Sequence, residues 1–316
     1  MPDLGPAIDT ILTRCLGVKA GENVLVIVDP GTRSIGEALR DGARALAAEA
    51  VLAEMDERAT DGTEPPPAIA AAMMASDVIV APTTRSLSHT TARKRATDSG
   101  VRAATLPGVT GEMLARMMAA DFDAVAARSR AVADLLTTHA SAHVSCPRGT
   151  DMTLELDGRA GGVDDGRLDS GGAFGNLPCG EGWIAPLGGS GRIVASSVAR
   201  LGLSDPPAVL TVSDGRLVAA RDGLGPELLG SLQEHGEQGC NLAELGVGTN
   251  DRATLTGEVL EDEKILGTVH IAFGASAGLG GNVSVPIHLD VVVLDASLQI
   301  GEVLVLDAGR WVLATA

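Results

Sequence analysis

The chain has 316 residues, 45% of them hydrophobic, which allows two domains of ordinary size and excludes a disordered protein. Its 41 acidic residues against 24 basic ones give a formal net charge of −17, the wrong sign for gripping a phosphate backbone, so nucleic-acid binding is not expected. With three Phe, two Trp and no Tyr, aliphatic side chains must fill the core, and no phenol is present to act as an acid or oxyanion donor.

An opening helix leads into ENVLVIVDP, a short apolar run ending in turn residues that reads as a buried strand. RSIGEALRDGARALAAEA has helical periodicity. AVLAEMD, DVIVAPTT and VRAATLPG read as further strands, with HTTARKRATDSG as a helix between the last two. This alternation predicts a doubly wound, Rossmann-like parallel sheet. DFDAVAARSRAVADLLTTHAS then reads as one long helix. After it come short strands and turns: SAHVSCP, DMTLELDGR, RIVASSVAR, PAVLTVSDGRLVAA, TVHIAFG, PIHLDVVVL and EVLVLD, with only GPELLGSLQEHGEQG helical. The expected architecture is an α/β domain over residues 1–137, followed by a β-rich α+β metal-binding domain over residues 138–316.

The N-terminus lacks the apolar run of a signal peptide, and no stretch is long enough to span a membrane. Cys15, Cys146, Cys179 and Cys240 are scattered without a CxxC pair, so a disulfide framework is not expected and the protein reads as soluble and cytoplasmic. DPGTRSIG, after the first strand, is neither a GxGxxG fingerprint nor a P-loop, and GGSGR lies between β segments, so a nucleotide site is not expected. SLSHTTARKR follows a buried strand, at the edge where α/β sheets present ligand contacts. It reads first as a helix capped by Ser88 or Thr90 with a solvated basic face. Ser88, His89 and Arg93 are retained as substrate-lining candidates.

The chemistry-bearing residues lie in the second half. In PIHLD, His288 and Asp290 are two apart on a strand and share a face. His270, in TVHIAFG, faces opposite to Val269 and Ile271. A lone strand histidine is usually a core residue, but these three donors on two segments joined by GASAGLGGN match a two-His, one-carboxylate triad. Glu181 in NLPCGEGWIAP and Glu244 in NLAELGVGTN are isolated acids in apolar sequence. Each alone reads as a surface residue beside a turn; buried, each needs a partner such as a metal. EVLEDEKILG reads as a solvated acidic face, of which only Glu263 is retained as a site candidate. Cys179 reads as a packed or site-lining cysteine rather than a nucleophile.

NLPCGE, AELGVGTN, EDEKILGTVHIAFG and IHLD, in this order, resemble the aminopeptidase T and aminopeptidase S family of metallopeptidases, which includes leucyl aminopeptidase-like proteins. That resemblance implies two divalent metals (Zn, Co, Mn or Fe) held by Glu181, Glu244, His270, His288 and Asp290. A water activated between them would attack an amide or peptide-like bond. Glu263, or a metal carboxylate such as Glu181, would be the acid–base group. A small or short peptide-like substrate and a homodimer are also implied. The HIAFG and HLD motifs are similar as well to dihydroxypyridine-cleaving dioxygenases, which implies instead a single non-haem iron at His270, His288 and Asp290. Glu181 and Glu244 favour the hydrolase of the two; a catalytically silent metal-containing binding protein is the third reading.

Overall fold

A computed structural model describes residues 2–46 and 48–314 of the chain. The first strands are β1 (Asn23–Val28), β2 (Glu49–Glu54), β3 (Val78–Ala81) and β4 (Arg102–Thr105). β3 and β4 are buried at every position and β1 at all but its first residue; past Asn23, β1 and β3 are runs of Val, Ile, Leu and Ala without polar alternation, while β4 also buries Arg102 and Thr105. They pair in parallel in the order β2-β1-β3-β4, and helices Arg33–Ala45, Pro67–Met74 and Thr91–Asp98 connect them. Helix Arg33–Ala45 buries Ile35, Leu39 and Ala43, four residues apart along one stripe.

The chain continues with β5 (Ser141–Ser145), β6 (Asp151–Glu155), β7 (Gly162–Asp164) and β8 (Phe174–Asn176). Next come β9 (Glu181–Ile184), β10 (Gly188–Val198), β11 (Gly202–Ser213), β12 (Arg216–Arg221) and β13 (Leu242–Gly248). The last are β14 (Val269–Gly274), β15 (His288–Val293), β16 (Ser297–Ile300), β17 (Val303–Asp307) and β18 (Arg310–Trp311). β8 adds in parallel beside β4 and completes the first sheet. The others form an antiparallel sheet of order β18-β17-β16-β5-β6-β10-β15-β14-β13-β9-β7, from which β11 and β12 branch at β10. The SDGR signal is the β11–β12 hairpin turn: Asp214 and Gly215 both adopt positive φ, as the tight turn between right-twisted strands demands.

The chain therefore has the expected parallel α/β part and β-rich part. They divide into two compact units, Met1–Ala120 with Gly166–Cys179, and Asp121–Asp165 with Gly180–Ala316. This differs from a single cut between residues 137 and 138. Helix Phe122–Thr138 belongs with the second unit because Val132 and Leu136 join Ile184, Leu245 and Val247 in its core. The segment carrying β8 returns to the first, and nothing in the three residues FGN marks them as a strand. The second core is aliphatic, as composition required, and each large side chain fully buried in it contributes roughly 1.5–3 kcal/mol. No helix among the described residues is long and apolar enough to cross a membrane.

Candidate metal centre

β9, β13, β14 and β15 are consecutive neighbours in the antiparallel sheet, and their alternation separates two jobs. One face sends Leu245, Val247, Ile271, Phe273, Leu289 and Val291 into the core. The other carries Glu181, Glu244, His270, His288 and Asp290. Pairing register sets Gly248 opposite Glu181, Gly246 opposite His270, Ala272 opposite both Glu244 and Asp290, and Gly274 opposite His288. Every donor thus has a glycine or alanine beside it, which clears space for long polar side chains to converge. The His270 ring lies directly over Gly246, where any Cβ would strike Nε2 and Cε1. Gly248 allows a similar approach by the backbone of Lys264 and Ile265.

The donor atoms converge at coordination distances. His270 Nε2 is 3.1 Å from Glu181 Oε2 and 3.7 Å from Glu244 Oε1; His288 Nε2 is 3.2 Å from Glu244 Oε2 and 3.6 Å from Asp290 Oδ1. Ligands bonded at about 2.1 Å to one ion lie about 3.0–3.4 Å apart, so these separations suit edges of a metal's coordination shell. Three groups of three donors each bring one ligand atom apiece to within 4.8 Å of the others: Glu181, Glu244 and His270; Glu244, His288 and Asp290; and Glu263, His270 and Asp290. Glu244 is common to the first two. His288 Nδ1 is 2.8 Å from the Ala275 carbonyl, to which it donates, so the lone pair is left on Nε2, the atom facing the carboxylates. Glu181 Oε2 is buried, and the group that faces it is the imidazole Nε2 of His270, 3.1 Å away. Two facing lone pairs need a cation between them, whether a proton or a metal ion, and the donor set fits a divalent metal.

The electrostatics have the same origin. Burial works against charge on both histidines, but Glu181 and Glu244 around His270, and Asp290 and Glu244 around His288, raise both pKa values well above the usual imidazole range. Burial likewise opposes ionisation of Glu181, yet Lys264 and His270 hold it down at about 2. Against the same penalty, His288, His270 and Lys264 hold Asp290 at about 2. In the metal-free chain, protons on the imidazoles take the place of metal charge, so metal binding must displace them.

The acidic run EVLEDEKILG is not a solvated face. Glu261 and Asp262 are fully buried: Glu261 accepts from the backbone and hydroxyl of Thr254, while Asp262 accepts from Thr256 N, Gly257 N and Ser197 Oγ. These bonds tie the preceding loop down and carry Glu263 and Lys264 into the cluster. Lys264, only 1% exposed, is the largest fully buried side chain among the described residues. Its ammonium sits 2.5 Å from Glu181 Oε1, 2.8 Å from Glu263 Oε1 and 3.6 Å from Asp164 Oδ2. It is held protonated, its pKa raised despite burial by Glu181, Glu263 and Asp164. Burial pushes Glu263 up to about 8 and Asp164 up to about 7; Lys264 offsets this in both, while neighbouring carboxylates add to it. Sequence reasoning missed Lys264 and Asp164. The one local signal was a lysine closing an acidic run immediately before a strand that carries a histidine.

The first-unit candidates are also located. Thr90 caps helix Thr91–Asp98 by accepting from Arg93 N, and Lys94 pairs with Asp98 on its exposed face, so the helix-cap reading describes this segment. Ser88 is buried between Thr105 and Asn176, and His89 is exposed. Arg93 donates to the Ser88 carbonyl and stacks 3.7 Å from the centroid of Phe174. Cys179 is fully buried.

Comparison with known proteins decides between the two resemblances. The family model described as NicX: 2,5-dihydroxypyridine 5,6-dioxygenase matches residues 4–313. Among solved structures, the 2,5-dihydroxypyridine dioxygenase of Pseudomonas putida KT2440 is 19% identical with a TM-score of 0.83, covering 98% of this chain and 97% of that one. Wild-type AmpT from Thermus thermophilus is also 19% identical, with a TM-score of 0.72 over 98% of this chain and 99% of that one. At this identity both show a shared fold. No curated protein matches the sequence. The expectation of an aminopeptidase-like hydrolase is overturned by the family match; both solved structures share this fold, so the fold alone does not separate the two reactions.

Proposed function

Because this chain belongs to the NicX family, 2,5-dihydroxypyridine 5,6-dioxygenase, we propose that it is a metal-dependent dioxygenase that opens a hydroxylated nitrogen-heteroaromatic ring with molecular oxygen. The observation that carries the reading is the family match over residues 4–313, which spans every donor of the buried cluster. Iron(II) is the proposed ion. His270, His288 and Asp290 would supply two imidazoles and a carboxylate, with Glu244 between the imidazoles and Glu181 at the inner end; Asp290 shares a donor group with each histidine. When bound, the metal supplies the redox-active centre that makes dioxygen reactive toward a closed-shell ring.

The remaining work falls to the chain. His288 has the most exposed side chain of the five donors, 25%, and marks the end a small ring would approach. The other four donors are buried, which limits competing water at the reacting centre. Glu263, raised to about 8 by burial, is the proposed group that exchanges a proton with the substrate near neutrality. With no tyrosine in the chain, proton traffic falls to carboxylates and imidazoles.

The test is to load the protein anaerobically with iron(II), add 2,5-dihydroxypyridine, and follow the ring absorbance on admitting oxygen. Oxygen-dependent loss of absorbance, abolished by His288→Ala and Asp290→Ala, is expected. A fully iron-loaded protein that leaves a panel of dihydroxypyridines intact while releasing product from amide substrates would overturn the reading.

A further inference from the structure

Lys264 has no role in the reading above, yet burying an ammonium costs several kcal/mol unless its partners are well placed. Its geometry is selective. Nζ takes only Oε1 of Glu181, at 2.5 Å, and leaves Oε2 buried and turned toward His270 Nε2, 3.1 Å away. The same ammonium takes Oε1 of Glu263 at 2.8 Å and approaches Asp164 at 3.6 Å, so three carboxylates from separate segments anchor it. Asp164 is paired with Glu181 in the β7–β9 register and completes the cradle from the sheet edge.

We propose that Lys264 is a positioning residue that fixes Glu181 as a one-oxygen ligand, presenting Oε2 to a divalent metal held with Glu244 and His270. Outer partners that orient a ligand in this way typically carry about 10–100-fold of metal affinity. Two effects of Lys264 oppose each other. Its positive charge repels a second cation, whereas its hold on Glu181 removes the cost of ordering that carboxylate. The one-oxygen geometry, with Oε2 buried and aimed at His270, favours the second effect. The proposal rests on the metal-dependent reading of this site but not on the identity of its substrate.

The test measures cobalt(II) retention by the cobalt-loaded full chain against a competing chelator, with no oxygen or ring substrate present, for wild type, Lys264→Met, Glu181→Gln and the double variant. Lys264→Met is expected to weaken retention about 10–100-fold. Glu181→Gln should do the same, and the double variant should lose no more than the worse single one, since Lys264 acts through Glu181. The cobalt absorption spectrum should change in both single variants. Unchanged or tighter retention in Lys264→Met overturns the proposal, as do additive losses. If Lys264→Met fails to fold, Lys264→Gln takes its place: weaker retention with a changed spectrum supports the proposal, and wild-type retention and spectrum overturn it. A chain that holds cobalt as described but cleaves no dihydroxypyridine refutes only the proposed reaction.

Discussion

Gly246→Ala tests whether the small residues beside the donors create the site. Gly246 lies opposite His270 across the β13–β14 pair, and an added Cβ would overlap the ring by roughly 1.4 Å relative to ordinary contact at 3.4 Å. The fully buried ring has little room to yield, since His270 is 1% exposed and its Nε2 is bracketed by Glu181 and Glu244. Forcing a methyl group into a packed position costs about 1–3 kcal/mol, and a ligand displaced by more than about 0.5 Å no longer meets productive geometry. Chemical denaturation of the metal-free chain should therefore show a loss of about 1–3 kcal/mol. Metal titration should show at least about tenfold weaker binding. Gly278→Ala, in the loop between His270 and His288, is the control, because its Cβ would meet nothing within 4 Å. Wild-type stability and metal affinity in Gly246→Ala would refute the claim that this glycine makes room for the ligand.

The metal-free chain should lose stability as pH rises from about 6 to 9. Glu263 and Asp164 are raised to about 8 and about 7 from ordinary values of 4.5 and 3.8, and both histidines are raised, so the folded state binds more protons than the unfolded one in this window. Such contributions are complete below the unfolded pKa values and disappear as pH passes the folded ones. Glu181 and Asp290, held at about 2, act in the opposite sense only as pH falls below about 4. Metal binding displaces the imidazole protons, so the melting-temperature gap between loaded and metal-free protein should widen from pH 6 to 9; a constant gap would contradict this. Asp262→Ala removes the acceptor for Thr256 N, Gly257 N and Ser197 Oγ, and should destabilise the chain by about 2–5 kcal/mol in denaturant unfolding. A loss below about 0.5 kcal/mol would show that the loop does not depend on this clamp.

The parallel and antiparallel parts were legible because strand periodicity is a local signal, and so was the shared face of His288 and Asp290. Glu181 and Glu244 stood out as isolated acids in apolar sequence, but only the β9–β13–β14–β15 register shows that they meet His270 and His288. Lys264 was hidden by its neighbours: a run of four acids and a lysine looks solvated until partners from β10 and the Thr254–Gly257 loop are known. The return of residues 166–179 to the first unit has no local signature, since β8 is three residues held by its pairing with β4. The donors did not rank the reactions: the dioxygenase reading at His270, His288 and Asp290 stood second to the hydrolase, and the family match reverses that order. Carboxylates and imidazoles on one sheet face serve hydrolysis and oxygenation alike, and the family match separates them.

The most direct measurement of the central claim uses ¹⁸O₂. Iron(II)-loaded protein turning over 2,5-dihydroxypyridine under labelled oxygen should consume one O₂ per ring opened and place both labelled atoms in the ring-opened product, as mass spectrometry would show. Product carrying oxygen from water alone, or turnover without oxygen uptake, would contradict the account.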